Sequence, residues 1–168
     1  MKQITLLESM KNIPVHPVSL ICTPKPDGST NLAAVSWWTF LSSNPQLIGF
    51  AMGKNSYTSE LLTKNDKGCP VVLSIPGESI ADITLKCGSV SGRELDKVKE
   101  YGIEMIGAPL KYPAHSRFAY ICTVESRVEA GVCNFFICKV DDVLFDETVK
   151  QIFAWGGYGK LAPLPEGS

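Results

Sequence analysis

Short runs of apolar residues, broken by turn signals, divide most of this chain into strands. Val18–Thr23 reads as a strand, Pro24–Gly28 as a turn with Asp27-Gly28 at its tip, and Thr30–Phe40 as the returning strand. Ser42-Ser-Asn-Pro45 predicts a loop leading into a strand over Leu47–Ala51. Val71-Val-Leu-Ser-Ile75 is apolar at nearly every position, the pattern of a central strand covered on both faces. Phe118–Glu129 and Val132–Val143 predict two long strands joined at Glu129-Ala-Gly131, with Gly131 free to take positive φ.

Helical patterns are short. One runs from Ser56 or Tyr57 to Lys64. A second starts at a capping pattern of Ser79 with Asp82 and stops at Gly88. A third starts at Ser91 with Glu94 and stops at Gly102. The third puts Leu95, Val98 and Tyr101 on one face and charges on the other. The tail holds Gln151–Trp155, then the glycine-rich Gly156-Gly-Tyr-Gly159, read as a tight turn. Helices do not alternate with strands, so a parallel βαβ sheet is excluded and a mostly β, antiparallel, barrel-like domain is expected.

Composition narrows the classes of function. The 168 residues suit a single domain over 1–168. A formal net charge of −1 with no basic stripe argues against a nucleic-acid partner. No apolar run approaches the ~20 residues of a spanning helix, so no membrane partner is expected. Glu8, Lys11 and Pro14 interrupt the N-terminal stretch before a signal core forms, and a cytoplasmic location is expected. The six cysteines (Cys22, Cys69, Cys87, Cys122, Cys133, Cys138) form no Cys-x-x-Cys pair, and only His16 and His115 are available beside them. Buried thiols rather than a metal site are the expectation.

The chemistry concentrates in two stretches, Asn31–Phe40 and Gly49–Thr58. Asn31, Ser36, Thr39, Lys54, Asn55, Ser56, Tyr57 and Thr58 bring small polar groups to strand ends and a helix start. Such a set suits a flat, polar-edged ring carrying a phosphate. Lys54 would neutralise the phosphate, helix-start amides would hold its oxygens, and Ser56 and Thr58 would donate hydroxyls. An ordinary helix cap beside an exposed lysine accounts for the same residues. Trp37 and Trp38 point to opposite faces of a strand, which suits one to the core and one to a pocket or a partner, although two packing residues account for the same pair. Arg93, Asp96 and Lys97 read equally as a solvated helix face, His115 as a loop histidine, and Arg117 as a cation that could meet a phosphate. No Ser–His–Asp order, zinc-protease helix or phosphate loop is present.

The order and spacing of Thr30-Asn-Leu-Ala-Ala-Val-Ser36, Ser42-Ser-Asn-Pro45, Lys54-x-Ser-x-Thr58, Ser91-Gly with Asp96-Lys97, the Cys122 strand, the Gly131 hairpin and Gly156-Gly-Tyr158 resemble the flavin reductase-like family of FMN-binding split-barrel proteins, flavoredoxin types included. The resemblance runs from about Pro14 to Pro163. It implies an antiparallel split β-barrel (Greek-key) with short peripheral helices, and a homodimer with FMN near the subunit interface. It implies a cofactor site at Asn31, Val35, Ser36, Trp37, Trp38, Ala51, Met52, Gly53, Lys54, Ser56, Tyr57, Thr58, Asp96 and Lys97. NADH or NADPH would serve as cosubstrate. Reductases of the family carry Gly-Asp-His where this chain has Gly131-Val132-Cys133, which removes an imidazole from the expected site. The implied function is therefore a flavin reductase-like oxidoreductase moving electrons from NAD(P)H to flavin or an acceptor. The alternatives are an FMN electron carrier reduced by a redox partner protein, and a non-catalytic split-barrel protein.

Overall fold

A computed structural model describes residues 1–64 and 67–165. In chain order the elements are α1 (Leu6–Lys11), β1 (Val15–Pro17), β2 (Ser19–Pro24), β3 (Thr30–Val35), β4 (Trp38–Ser43), β5 (Gln46–Gly53), α2 (Tyr57–Lys64), β6 (Pro70–Pro76), α3 (Ala81–Ser89), α4 (Lys97–Glu100), β7 (Met105–Ile106), β8 (Tyr112–Pro113), β9 (Ser116–Ala130), β10 (Cys133–Phe145), β11 (Phe153–Trp155) and β12 (Lys160–Ala162). Seven strands form one sheet in the order β3-β2-β6-β9-β10-β5-β4. Every pairing in it is antiparallel.

Connectivity closes this sheet into a barrel. A flat seven-stranded sheet would hold its edge strands about 29 Å apart. Yet β3 and β4, the two edges, are joined by Ser36 and Trp37 alone. Three peptide steps reach at most about 11 Å, so the sheet must curl until its edges meet. At this seam the Ala51 amide donates to the Trp37 carbonyl at 2.8 Å. The architecture is the expected mostly β split barrel with short peripheral helices.

Two apolar layers follow from the period of two. On β2 and β6, Ile21, Val71, Leu73 and Ile75 turn into the barrel, against Phe50, Tyr120, Val124 and Phe136. Leu20, Cys22 and Val72 turn outward into a second cluster with Ile80, Cys87, Ile103, Leu110 and Tyr112. This is why Val71–Ile75 is continuously apolar: β6 is covered on both faces, as its pattern predicts. The Gly131 hairpin also forms, with Gly131 at φ +58°.

Four local expectations are corrected. The Thr30–Phe40 strand is two strands, because the chain changes sheet edge at Ser36-Trp37. Ser42 and Ser43 belong to β4, leaving only Asn44-Pro45 as the turn. Ser79 caps nothing; a short 3-10 turn over Glu78–Ile80 leads into α3, which continues through Gly88 to Ser89. Ser91 caps a turn, not a helix: its Oγ accepts from the Arg93 amide, and α4 starts later behind Asp96. In the last case a short polar side chain found a local backbone partner outside a helix, which is its usual alternative.

Candidate functional site

The seam forms one wall of an apolar cleft of about 560 Å³. Val35, Ser36 and Trp37 come from the seam, and Ala51, Met52 and Gly53 from the end of β5. Thr84, Leu85, Gly88 and Ser89 of α3 form the opposite wall. Tyr158 and Leu161 reach in from the β11–β12 hairpin. Tyr158 has φ +73° and is the one non-glycine residue with positive φ among those described. Its hydroxyl is buried without a hydrogen-bond partner, as is Nδ1 of His16, whose ring centroid lies 5.8 Å from that of Tyr158.

A polar pocket of about 350 Å³ continues from the cleft and shares Ala34, Met52, Gly88 and Ser89 with it. The start of α2 lines this pocket. Ser56 caps the helix, its Oγ accepting from the Ser59 amide at 3.1 Å. The amides of Tyr57 and Thr58 precede the first intrahelical bond, from Glu60 to the Ser56 carbonyl. Asn31 on β3 is buried, and its Nδ2 donates to Thr23 Oγ1 at 3.0 Å and Thr58 Oγ1 at 2.9 Å. The turn over Ser91–Arg93 closes on Asn31 so tightly that a Cβ at Gly92 would lie 2.0 Å from Asn31 Oδ1 and 3.1 Å from the Tyr57 ring.

Lys97 supplies the buried charge of the pocket, which Arg93 and Glu94 also line. It is only 5% exposed. Its Nζ donates to the carbonyls of Leu32 at 2.8 Å and Cys87 at 2.6 Å, tying α4 to β3 and α3. No carboxylate of the described residues pairs with it. Burial lowers its pKa, since the charged form loses hydration that two carbonyl dipoles replace only in part. An ammonium desolvated in this way attracts an anion with little screening.

The structure brings most of the expected site residues to the cleft and the polar pocket and places three elsewhere. Val35, Ser36, Trp37, Ala51, Met52 and Gly53 line the apolar cleft; Asn31, Ser56, Tyr57, Thr58 and Lys97 line the polar pocket with Met52. Trp38 does neither. It packs into the barrel 6.3 Å from the Tyr120 ring, while Trp37 stays 45% exposed, so the two tryptophans do take opposite faces. Lys54 lies in an adjoining outer groove, paired with Glu129 at 2.8 Å. Asp96 serves as the cap of α4, accepting from the Lys99 amide at 3.2 Å. Arg117 lies outside all of these pockets; it pins the 146–149 loop through the carbonyls of Asp146, Glu147 and Val149 and sits over the Phe145 ring. His115 is exposed near Glu104. The six cysteines are free, five of them buried, and no cluster among the described residues could hold a metal. Burial pushes the Cys87 thiol up to about 11 and Cys122 up to about 12.

Gly88, Ser89, Gly92 and Tyr158 were not expected at the site. The repeated glycines of Gly156-Gly-Tyr-Gly159 were the available signal for Tyr158.

The barrel seam thus carries an apolar cleft continuous with a small polar pocket that holds a buried cation. The chain belongs to the flavin reductase like domain family, whose model matches residues 10–162. Its structure is similar to flavoredoxin of Desulfovibrio vulgaris (Miyazaki F), at 21% identity and a TM-score of 0.83, covering 100% of this chain and 96% of that one. It is similar also to an FMN-binding protein from Thermus thermophilus with bound 1-cyclohex-2-enone, at 21% identity and a TM-score of 0.81, with 100% and 96% covered. A protein of Escherichia coli (strain K12), the uncharacterized YddH, is 32% identical over 80 residues. That match spans 48% of this chain and 41% of YddH.

Proposed function

We propose that this protein binds FMN across the cleft and pocket and acts as a flavin reductase-like oxidoreductase, moving electrons from NAD(P)H to flavin or to an acceptor. The supporting observation is the continuity of an apolar cleft with a polar pocket whose one buried ammonium lacks a carboxylate. The residues fit the cofactor: the cleft offers apolar walls for the ring system, and Lys97, Ser56, Thr58 and the first amides of α2 offer the pocket for the phosphate. Gly92 keeps that pocket open where any side chain would meet Asn31. Bound FMN would supply the redox chemistry. Among its described lining residues the cleft holds no Asp, Glu, His, Lys or Cys. Apart from the Tyr158 hydroxyl they include no side-chain acid or base of the usual kinds, and we assign them to orienting the reactants and excluding water.

A second reading, an FMN electron carrier reduced by a protein partner, is favoured by the hairpin at Gly131. Val132 stands 84% exposed there, and Cys133 is half-buried opposite Gly53 at the end of β5. Exposed Trp37, Phe40 and Leu41 along the β4 edge, beside a groove of about 460 Å³, support a homodimer with the cofactor near its interface. Six free thiols favour a reducing, cytoplasmic setting. No helix among the described residues is long and apolar enough to cross a membrane.

The test is an anaerobic titration. The protein is mixed with equimolar FMN, its absorbance followed, and NADH then NADPH added. Rapid bleaching supports the reductase, bound flavin that stays oxidised supports the carrier, and failure to take up FMN refutes both and leaves a non-catalytic barrel.

A further inference from the structure

The turn between β11 and β12 carries three consecutive residues in the left-handed region: Gly156 at φ +53°, Gly157 at +82° and Tyr158 at +73°. Glycine takes that conformation freely, whereas a Cβ makes it a strained one. A strained residue persists only where its surroundings hold it, so the Tyr158 side chain serves by what it touches. Tyr158 lines the apolar cleft. The base of its turn is fixed. The Gly156 amide donates to the Pro14 carbonyl at 3.2 Å, Trp155 Nε1 donates to the Ala162 carbonyl at 3.0 Å, and a Cβ at Gly157 would lie 3.1 Å from the Lys11 carbonyl oxygen. His16 stands on β1, opposite Ala154 of β11. Three buried side-chain polar atoms among the described residues lack a hydrogen-bond partner: His16 Nδ1, Trp38 Nε1 and Tyr158 Oη. Trp38 packs against the barrel core, and its Nε1 only donates. The other two are complementary, because the imidazole tautomer protonated at Nε2 leaves Nδ1 an acceptor for the phenol.

We infer that Tyr158 and His16 form a latch that closes on a ring held in the cleft, the phenol hydroxyl donating to His16 Nδ1 once the ring covers Tyr158. The inference rests on the flavin reading above. The two ring centroids lie 5.8 Å apart with their planes tilted by 49°, within the span of a phenol oxygen, an imidazole nitrogen and one hydrogen bond of about 2.8 Å. With the base of the turn fixed, rotation about the Tyr158 side-chain bonds closes the pair. A flat ligand against Tyr158 fills the space into which that side chain would otherwise swing and shields the hydroxyl from water. A hydrogen bond made only with the cleft filled stabilises the complex and not the free protein, so it slows release of the ligand. Tyr158 is thereby a positioning residue, and His16, which is outside the cleft lining, acts through it. The latch acts on the ring and not on the phosphate, since neither residue lines the polar pocket.

The test follows flavin fluorescence to measure the affinity and the dissociation rate of FMN and of riboflavin on the full chain. It compares the parent with Tyr158→Phe, His16→Phe, their double variant and His16→Asn, with melting temperatures in the absence of flavin as the folding control. Tyr158→Phe and His16→Phe should each weaken both flavins about three- to tenfold, the worth of one hydrogen bond, chiefly through faster release. The double variant should lose no more than either single variant, because the first substitution already breaks the bond. His16→Asn, whose amide oxygen keeps an acceptor near the place of Nδ1, should recover most of the loss. Additive losses in the double variant, or an unchanged release rate in folded Tyr158→Phe, overturn the latch while leaving the FMN reading intact. A Tyr158→Phe protein that melts clearly lower without flavin also overturns it, since the hydroxyl is then paired before any ligand binds. Uptake of neither flavin by the parent overturns the FMN reading and the latch with it.

Discussion

Replacing Lys97 by Met tests the electrostatic core of the site. Met keeps the length and apolar stem but removes the ammonium and both of its hydrogen bonds, to Leu32 and Cys87. Two opposing changes in stability result. Each carbonyl left buried and unpaired costs about 1–3 kcal/mol. Against this, the desolvation of a buried, uncompensated charge, worth several kcal/mol, is relieved. The variant should therefore fold, with a melting temperature near that of the parent. Ligand binding has no such compensation. A hydrogen bond from a charged donor is worth about 1.5–3 kcal/mol, so FMN should weaken roughly 10- to 150-fold. Riboflavin, which has the ring but no phosphate, should be unaffected. The assay is quenching of flavin fluorescence for FMN and riboflavin side by side, and the ratio of their affinities is the quantity read. Equal weakening of both, or no preference for FMN in the parent, would refute the assignment of Lys97 to the phosphate.

The pH dependence has a definite sign. The folded pKa of Lys97 lies below its ordinary 10.5, so between the two values the unfolded chain binds more protons and the stability of the ligand-free protein rises with pH. FMN affinity should fall through the same window as the ammonium deprotonates, and riboflavin affinity should stay flat.

Three further outcomes are expected. Gly92→Ala forces a Cβ to 2.0 Å from Asn31 Oδ1 and should cost about 1–3 kcal/mol, seen as a lower melting temperature together with weaker FMN binding. Thr58→Ala removes one of the two acceptors of Asn31 and one pocket hydroxyl; denaturant titration should show a loss of about 1 kcal/mol, and FMN affinity should drop while riboflavin changes less. Tyr158→Phe deletes a buried hydroxyl that has no partner, so thermal melting should show no loss of stability, and a clear destabilisation would show that the hydroxyl is satisfied in solution.

The parts of this fold legible in the sequence are those set by local chemistry. The unbroken apolar run of β6 and the glycine at the β9–β10 turn each carry their cause within a few residues. The break at Ser36-Trp37 does not. Both residues are compatible with a strand, and only closure of the sheet edges makes the chain change partners there. The same holds for the site. Asn31, Ser56 and Thr58 were recognisable as polar groups at element ends, and the structure brings them together. Lys54 and Lys97 are the same residue type on polar segments, yet Lys54 meets Glu129 across a hairpin formed 75 residues later, while Lys97 is drawn under β3 and α3. Which of two lysines is buried depends on packing over that distance, and no local pattern records it.

The two-residue seam also constrains how such a site can change. Ser36 and Trp37 span two sheet edges, and side chains alternate along both, so adding or removing one residue there would turn every inward side chain of β4 outward. The mouth of the cleft can thus be altered on that side only by exchanging side chains, never by lengthening the link. The Ser91–Arg93 turn and the Gly156–Gly159 turn border the same ligand space without bridging the barrel, and they are free to grow or shrink. Among proteins built this way, the seam should be the invariant hinge of the architecture and those two turns the places where ligand preference diverges.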